Sequence, residues 1–443
     1  MSSYLRVLRH PDFRYLFLGQ SASAVGDQAV FVALALYITQ RTGSATDLGL
    51  VLAAQSVPLV VLLLIGGVWA DRLPRHQIMV VTDAVRAIMH GLLAVLILTG
   101  GATVTQMVVI EVVFGAARAF FQPAYTGLLP QTIPDQLVQD ARALSASTEN
   151  VAILVGPALG TALVLGVGAG EAFALDSATF VLSALLLARV RPRARGEAVR
   201  AGREATTVWH ELRVGWREVR SRAWVWATIA AFSGAVVCCY AQWYALAPLI
   251  ARDHYGGAGL FGVLESMAGA GAVIGSLVGL RWRPARPIVT GLLLTLFWPL
   301  QSVLFATGAP LAIIVVFAVA SGYGFSLFGI WWETALAHHI PASALSRVSA
   351  YDWMGSLALL PVGFLLAGPL AGAFGARTVL GVGAALALTM LLLALIPRST
   401  RELGGEGSAE QCAGDVGEEA GREAEVADVD ALIGVVHKRR GLE

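Results

Sequence analysis

Apolar runs of about 20 residues follow one another along this chain, with charge confined to short connectors; a helix of that length crosses the roughly 30 Å of a bilayer's hydrocarbon. Backbone polar groups in hydrocarbon must be satisfied internally, which makes runs of this kind helices. Six spans are expected at Tyr15–Ile38, Leu48–Ala70, Ile78–Thr99, Thr105–Tyr125, Leu144–Leu165 and Glu171–Val190. Six more are expected at Ala223–Leu249, Leu260–Leu280, Ile288–Thr307, Leu311–Trp332, Val348–Leu370 and Thr378–Ile396. The fold class is therefore an all-α integral membrane protein, with twelve transmembrane helices in two six-helix halves. A chain that is 56% hydrophobic and 14% charged is no ordinary soluble protein, and a net charge of +1 points to no nucleic-acid partner. The basic stretch Met1 to Arg14 runs into a span too long for a signal peptide, so a retained first helix is expected.

Four segments follow: residues 1–190, a six-helix half; 191–222, a basic linker; 223–397, a second half; and 398–443, an acidic tail read as disordered. Within the linker, Trp209, Leu212, Trp216 and Val219 share one helical face, with Arg213, Arg217 and Arg220 elsewhere. That pattern predicts an amphipathic helix on an anionic membrane surface, or one docked on a partner protein. Arginines concentrate on one side: Arg6, Arg9, Arg14, Arg72, Arg75, Arg142, Arg281, Arg283, Arg286, Arg347 and the linker, against Arg41, Arg252 and Arg377 on the other. By the positive-inside rule both termini are expected in the cytoplasm, with the protein in the cytoplasmic membrane.

No phosphate-binding G-x-x-x-x-G-K-[ST], no H-E-x-x-H and no G-x-S-x-G is present. The three cysteines show no ligand spacing. Neither an enzyme, a metal site nor a cofactor is indicated, and no nucleotide-driven domain of that type is present. Ionisable side chains inside spans are then the informative ones, because burying them is costly. Asp27 is about twelve residues into the first span, near mid-membrane, and Glu111 lies in the outer part of the fourth. A carboxylate facing an apolar cavity can take a proton on one side and release it on the other, or pair with a cationic substrate. The alternative is a carboxylate hydrogen-bonded between helices. His90 is read as a packed imidazole, and Asp176 and Glu265 as solvated near the outer surface. Arg118, Glu149 and Asp352 are expected in an ion-pair lattice with Asp71, Arg72 and Arg75. Tyr240, Trp243 and Trp298 are deep enough to line a cavity for a flat amphiphilic ligand, with core packing the alternative for each.

The connector Gly67-Val-Trp-Ala-Asp71-Arg72-Leu-Pro-Arg75-His76 resembles the G-x-x-x-D-R-x-x-R-[RK] loop of the major facilitator superfamily, with His76 where a second basic residue is usual. The resemblance implies a gating loop of Gly67, Asp71, Arg72 and Arg75, in which Asp71 latches onto the start of the eleventh helix. Gly156-Pro157-Ala-Leu-Gly160 is similar to the G-P-x-x-G core of the drug:proton antiporter motif, although Ala152 replaces its earlier glycine and Gly368-Pro369-Leu-Ala-Gly372 repeats it. "HPDFRYLFLGQSASAVGD", "FFQPAYTGLLPQTIP" and "SRVSAYDWMGSLALLPVG" look like the branch of enterobactin-exporter-like and macrolide-efflux-like proteins. The resemblance implies a monomeric transporter that exports a small amphiphilic molecule (a drug, siderophore or secondary metabolite) against proton entry. Two rivals are an importer or facilitator of a nutrient and a non-transporting sensor or scaffold.

Overall fold

The computed structural model describes residues 6–193 and 208–404. The expectations for the rest of the linker and for the tail beyond residue 404 lie outside those residues. So do the side chains of 63–72, which leaves out the gating-loop residues Gly67, Asp71 and Arg72. Among the described residues, twelve helices are long and apolar enough to cross a membrane. They are α1 (Pro11–Arg41), α2 (Ala45–Arg72), α3 (Arg75–Leu98), α4 (Val104–Leu128), α5 (Val138–Gly166), α6 (Ala169–Leu187), α7 (Ala223–His254), α8 (Gly259–Gly279), α9 (Pro287–Thr307), α10 (Leu311–His339), α11 (Ala342–Ala358, continuing as Leu360–Phe374) and α12 (Ala376–Leu393). Several run past their apolar spans: α1 has 31 residues and α10 has 29.

Irregularities in the helices have local causes. Proline lacks an N–H and clashes with the preceding turn, so α9 breaks at Leu296 ahead of Pro299 and α11 at Leu359 ahead of Pro361. In α7 the segment Val236–Tyr240 widens into a π-turn. There the Gln242 amide donates to the Val237 carbonyl (3.2 Å) and, across to α11, to the Gly363 carbonyl (3.0 Å), supplementing the ladder that the π-turn disturbs.

The apolar core is divided in a way that reports how the halves meet. One cluster draws on both halves, for example Leu34, Val51 and Leu52 with Leu246, Phe261 and Phe364. It lies toward the face remote from the chain ends, called here the far face. Toward the opposite, terminal face the core splits in two. Val7, Phe13, Met79 and Phe121 belong to a first-half cluster, and Trp224, Trp332, Val348 and Leu403 to a second-half cluster. The halves are sealed along the far face and part toward the terminal face.

Two pseudo-equivalent helix pairs, α2 with α11 and α5 with α8, form this seal. Small residues let the backbones touch. A Cβ on Gly49 would lie 2.3 Å from the Phe364 carbonyl oxygen, and one on Gly269 2.6 Å from the Leu154 Cα. Gly368, from the repeated glycine–proline core in α11, faces Thr46 of α2 as closely: a Cβ there would lie 2.4 Å from the Thr46 Cα. Arg252 adds a polar tie, its Nη1 donating to the Thr39 carbonyl at 2.9 Å. Because backbone cannot yield as a flexible side chain can, Gly49→Leu is expected to hold the far face apart. The check is a Leu52→Cys reporter: Leu52 is 2% exposed, and its labelling by a membrane-impermeant maleimide should rise sharply in the Gly49→Leu background.

The linker helix Val208–Ser221 seats on α11 rather than standing free. Gly215 brings it against Arg347 and Tyr351, Trp216 packs on Tyr351 with centroids 5.7 Å apart, and Val219 is buried. Arg213, Arg217 and Arg220 stay exposed. The side chains of Trp209 and Leu212 lie outside the described residues.

Candidate functional site

The first half carries a cavity that runs from mid-helix in α1 and α3 toward the terminal face, with Gln20, Asp27, Arg86, Arg118, Tyr125 and Glu149 among its walls. Asp27 stands near the middle of α1 with its side chain 25% exposed, and its carboxylate is 3.6 Å from the guanidinium of Arg86. Arg86 is itself 2% exposed. Its charge is compensated by Asp83, one turn earlier on α3, through a short ion pair. It is also sandwiched by the rings of Phe121 and Phe180, 4.2 and 4.3 Å from their centroids. Ser183 of α6 donates to Asp83 (2.6 Å), and Gln20 of α1 donates to Ser183 (2.9 Å). A fully buried aspartate is held this way by three helices at once, consistent with the rule that buried charge needs partners.

One turn farther along α3, His90 is 1% exposed and makes a 2.5 Å hydrogen bond through Nδ1 to Asp176 of α6. Its Nε2 faces Glu111 of α4 at 3.7 Å, and Glu111 accepts from the Gln55 amide of α2 at 3.0 Å. Close backbone packing makes this possible: a Cβ on Gly115 would lie 2.0 Å from the Gln55 carbonyl oxygen. His90, packed and hydrogen-bonded, therefore lies at the centre of a polar constellation. Asp176 is wholly buried, not solvated near the outer surface, because α6 starts at Ala169 and Asp176 lies about 10 Å down the helix.

The glycine–proline segment of α5 packs on this region. Gly156 abuts Gln28 and Gly160 abuts the Ala29 carbonyl, with 2.3 and 2.1 Å to a Cβ placed on each. Pro157 lies inside the helix between them. The stretch of α1 immediately after Asp27 is thus clamped by α5.

In the second half, Tyr240 and Tyr244 pack together (4.6 Å) beside Trp298 (5.9 Å from Tyr240), and Tyr244 meets Phe31 of α1 at 5.0 Å across the boundary. Trp243 takes the core-packing place that the sequence also allows. It is 3% exposed, packed against Phe305 and Phe261, and its Nε1 donates to Glu265 at 2.7 Å. Glu265 also accepts from the Tyr244 hydroxyl (2.7 Å), so it too faces the bundle interior rather than the outer surface.

The ion-pair lattice expected of Arg118, Glu149 and Asp352 includes Asp71 and Arg72, whose side chains lie outside the described residues. Arg118 and Glu149 both face the cavity of the first half, whereas Asp352 sits in the second half and accepts from Trp332 Nε1 at 2.9 Å. Arg75 donates to the Gly127 carbonyl at 2.8 Å. Two functional candidates, Asp83 and Arg86, escape a reading of the sequence that weighs ionisable residues one at a time. The signal that finds them is an acid and a base spaced i,i+3 inside an apolar run.

Comparison with known proteins fits this architecture. The sequence profile of the Major Facilitator Superfamily matches residues 16–357. The chain is 27% identical over 410 residues to the multidrug efflux pump Tap of Mycolicibacterium fortuitum, covering 88% of this chain and 95% of that one. It is 27% identical over 280 residues to the putative bacilysin exporter BacE of Bacillus subtilis, covering 61% and 67%. Two solved structures share the fold. The nucleoside transporter NupG matches with a TM-score of 0.66 at 11% identity, over 87% of this chain and 98% of that one. An inward-facing, unoccupied bacterial homolog of the human lysosomal transporter Spinster matches with a TM-score of 0.62 at 15% identity, over 87% and 94%.

Proposed function

The chain belongs to the Major Facilitator Superfamily, and from that premise we propose that this multi-pass transporter exports a small amphiphilic organic molecule in exchange for protons, by alternating access. The observation that carries the reading is the position of Asp27: partly exposed at the head of a cavity, yet within reach of the buried Arg86. A group there meets water and substrate from one side and a compensating charge from the other, as a coupling carboxylate requires. Export is supported by the efflux pump and exporter with which the chain aligns. The aromatic group of Tyr240, Tyr244 and Trp298 offers flat apolar surface for such a molecule.

Both termini lie in the cytoplasm on this reading, since the arginine-rich connectors occupy the terminal face. The cavity then opens to the cytoplasm and the sealed far face to the outside. The parting of the core clusters on the terminal face corresponds to the inward-facing member of an alternating pair.

Reconstituted protein loaded with a pH dye provides the test, with ethidium, a macrolide and a siderophore offered in turn. Substrate movement accompanied by opposed proton movement is the expected result. Substrate movement with no proton signal would replace the reading by a facilitator.

A further inference from the structure

We infer that the Asp176–His90–Glu111 triad is a proton-holding site separate from the cavity, set one helical turn behind the Asp27–Arg86–Asp83 cluster. The inference rests on the proton-coupled reading above and says where the proton resides.

Geometry argues for the assignment. His90 Nε2 and Glu111 Oε1 are both buried, face each other at 3.7 Å, and have no hydrogen-bond partner among the described residues. One proton on either atom turns two facing acceptors into a donor and an acceptor. Nδ1, bonded to Asp176, is already occupied. Loading adds that single proton, taken from water, between Nε2 and Oε1; unloading gives it back to water once motion of the helices opens a path past the phenylalanines, and no other bond changes.

Charge balance points the same way. The groups that face this region are Asp27 on α1, Asp83, Arg86 and His90 on α3, Glu111 on α4 and Asp176 on α6, with neutral Gln55 on α2. Four carboxylates stand against one guanidinium and one imidazole. Ionised together they leave an excess of negative charge even with His90 protonated, and uncompensated charge in a bundle interior is costly. The network therefore gains from bound protons, and the triad is its most secluded part.

A wall separates the two clusters. Phe180 lies against both Arg86 and His90, Phe114 stacks on the imidazole at 4.0 Å, and Ala87, Phe114 and Phe180 form an apolar cluster of their own. Helix α1 runs beside this wall. A Cβ on Gly26 would lie 2.3 Å from Asp176 Oδ1, so Gly26 abuts the triad while its neighbour Asp27 faces the cavity. Since α5 grips α1 at Gln28 and Ala29 and packs on α8 of the other half, relative motion of the halves bears on the Gly26–Asp176 contact. The proton and the organic substrate then occupy different places, linked by α1.

Infrared difference spectra between acid and alkaline pH, taken on the full protein in lipid without substrate, test the site directly. A buried protonated-carboxyl component is expected in the wild-type spectrum, absent from Glu111→Gln and shifted in His90→Gln and Asp176→Asn. All three substitutions are close in size to the native side chains, so any one that folds is informative. Ethidium transport in the same vesicles supplies the second arm, with pH-gradient-driven movement expected in the wild type and lost in the three variants. Spectra that none of the substitutions alters would overturn the triad while leaving proton coupling to Asp27. Ethidium movement in the wild type indifferent to the gradient would instead remove the coupled reading, and with it the triad's role.

Discussion

An Asp27→Asn protein in liposomes is expected to lose pH-gradient-driven transport, down to the level of empty vesicles, while keeping its fold. Asparagine preserves the shape of the side chain and its ability to accept a hydrogen bond, but it cannot take up and release a proton. Stability should change little, because Arg86 keeps its closer partner, Asp83, and its two aromatic faces. The Asp27 side chain is also partly solvated at 25% exposure, so the 3.6 Å pair with Arg86 is screened and its loss is modest. The measurement is a pair: thermal unfolding in detergent, expected near the wild-type value, and gradient-driven flux. Unchanged flux would transfer the coupling role to other carboxylates of the first half.

Arg86→Met should produce the largest loss of stability. The substitution retains much of the apolar stem between Phe121 and Phe180 but leaves Asp83, which is wholly buried, facing an uncharged neighbour. Removing one member of a buried ion pair typically costs about 3–5 kcal/mol, mostly the penalty of the charge left behind. The single variant should therefore unfold at markedly lower temperature or fail to accumulate in the membrane. Adding Asp83→Asn removes the stranded charge and should recover a good part of the loss, and that recovery is what separates electrostatics from packing. A double variant no better than the single one would assign the effect to the lost cation–π sandwich.

Length and hydropathy made the helices legible, because a run of about 20 apolar residues has one economical solution in a bilayer. Depth along a helix was legible as well: Asp27 does stand near the middle of α1. Azimuth was not. A hydropathic run that is apolar all round carries no stripe to say which face meets other helices. Asp176 and Glu265 were accordingly read by depth alone as outer-surface residues, whereas both point into the bundle, toward His90 and toward Trp243 with Tyr244. Sequence alone leaves Trp243 between a cavity wall and the core, and it packs inward on Phe305. Asp83 and Arg86 illustrate a different limit, since each alone suggests a costly intrusion and only the pair, completed by Ser183 from α6, explains itself. Close helix contacts such as Gly160 on Ala29 were foreshadowed by small residues in the motif, but their partners were not.

The division of the core into a shared far-face cluster and two private clusters gives temperature a particular hold on this molecule. Any excursion that opens the far face to water exposes apolar side chains from both halves, among them Leu34, Leu52, Leu246 and Phe364. Hydration of such surface raises heat capacity. Under the alternating access proposed above, the balance between the two facings is therefore expected to curve with temperature instead of following a straight van't Hoff line. Since hydrophobic association weakens on cooling, cold is expected to loosen the far-face seal.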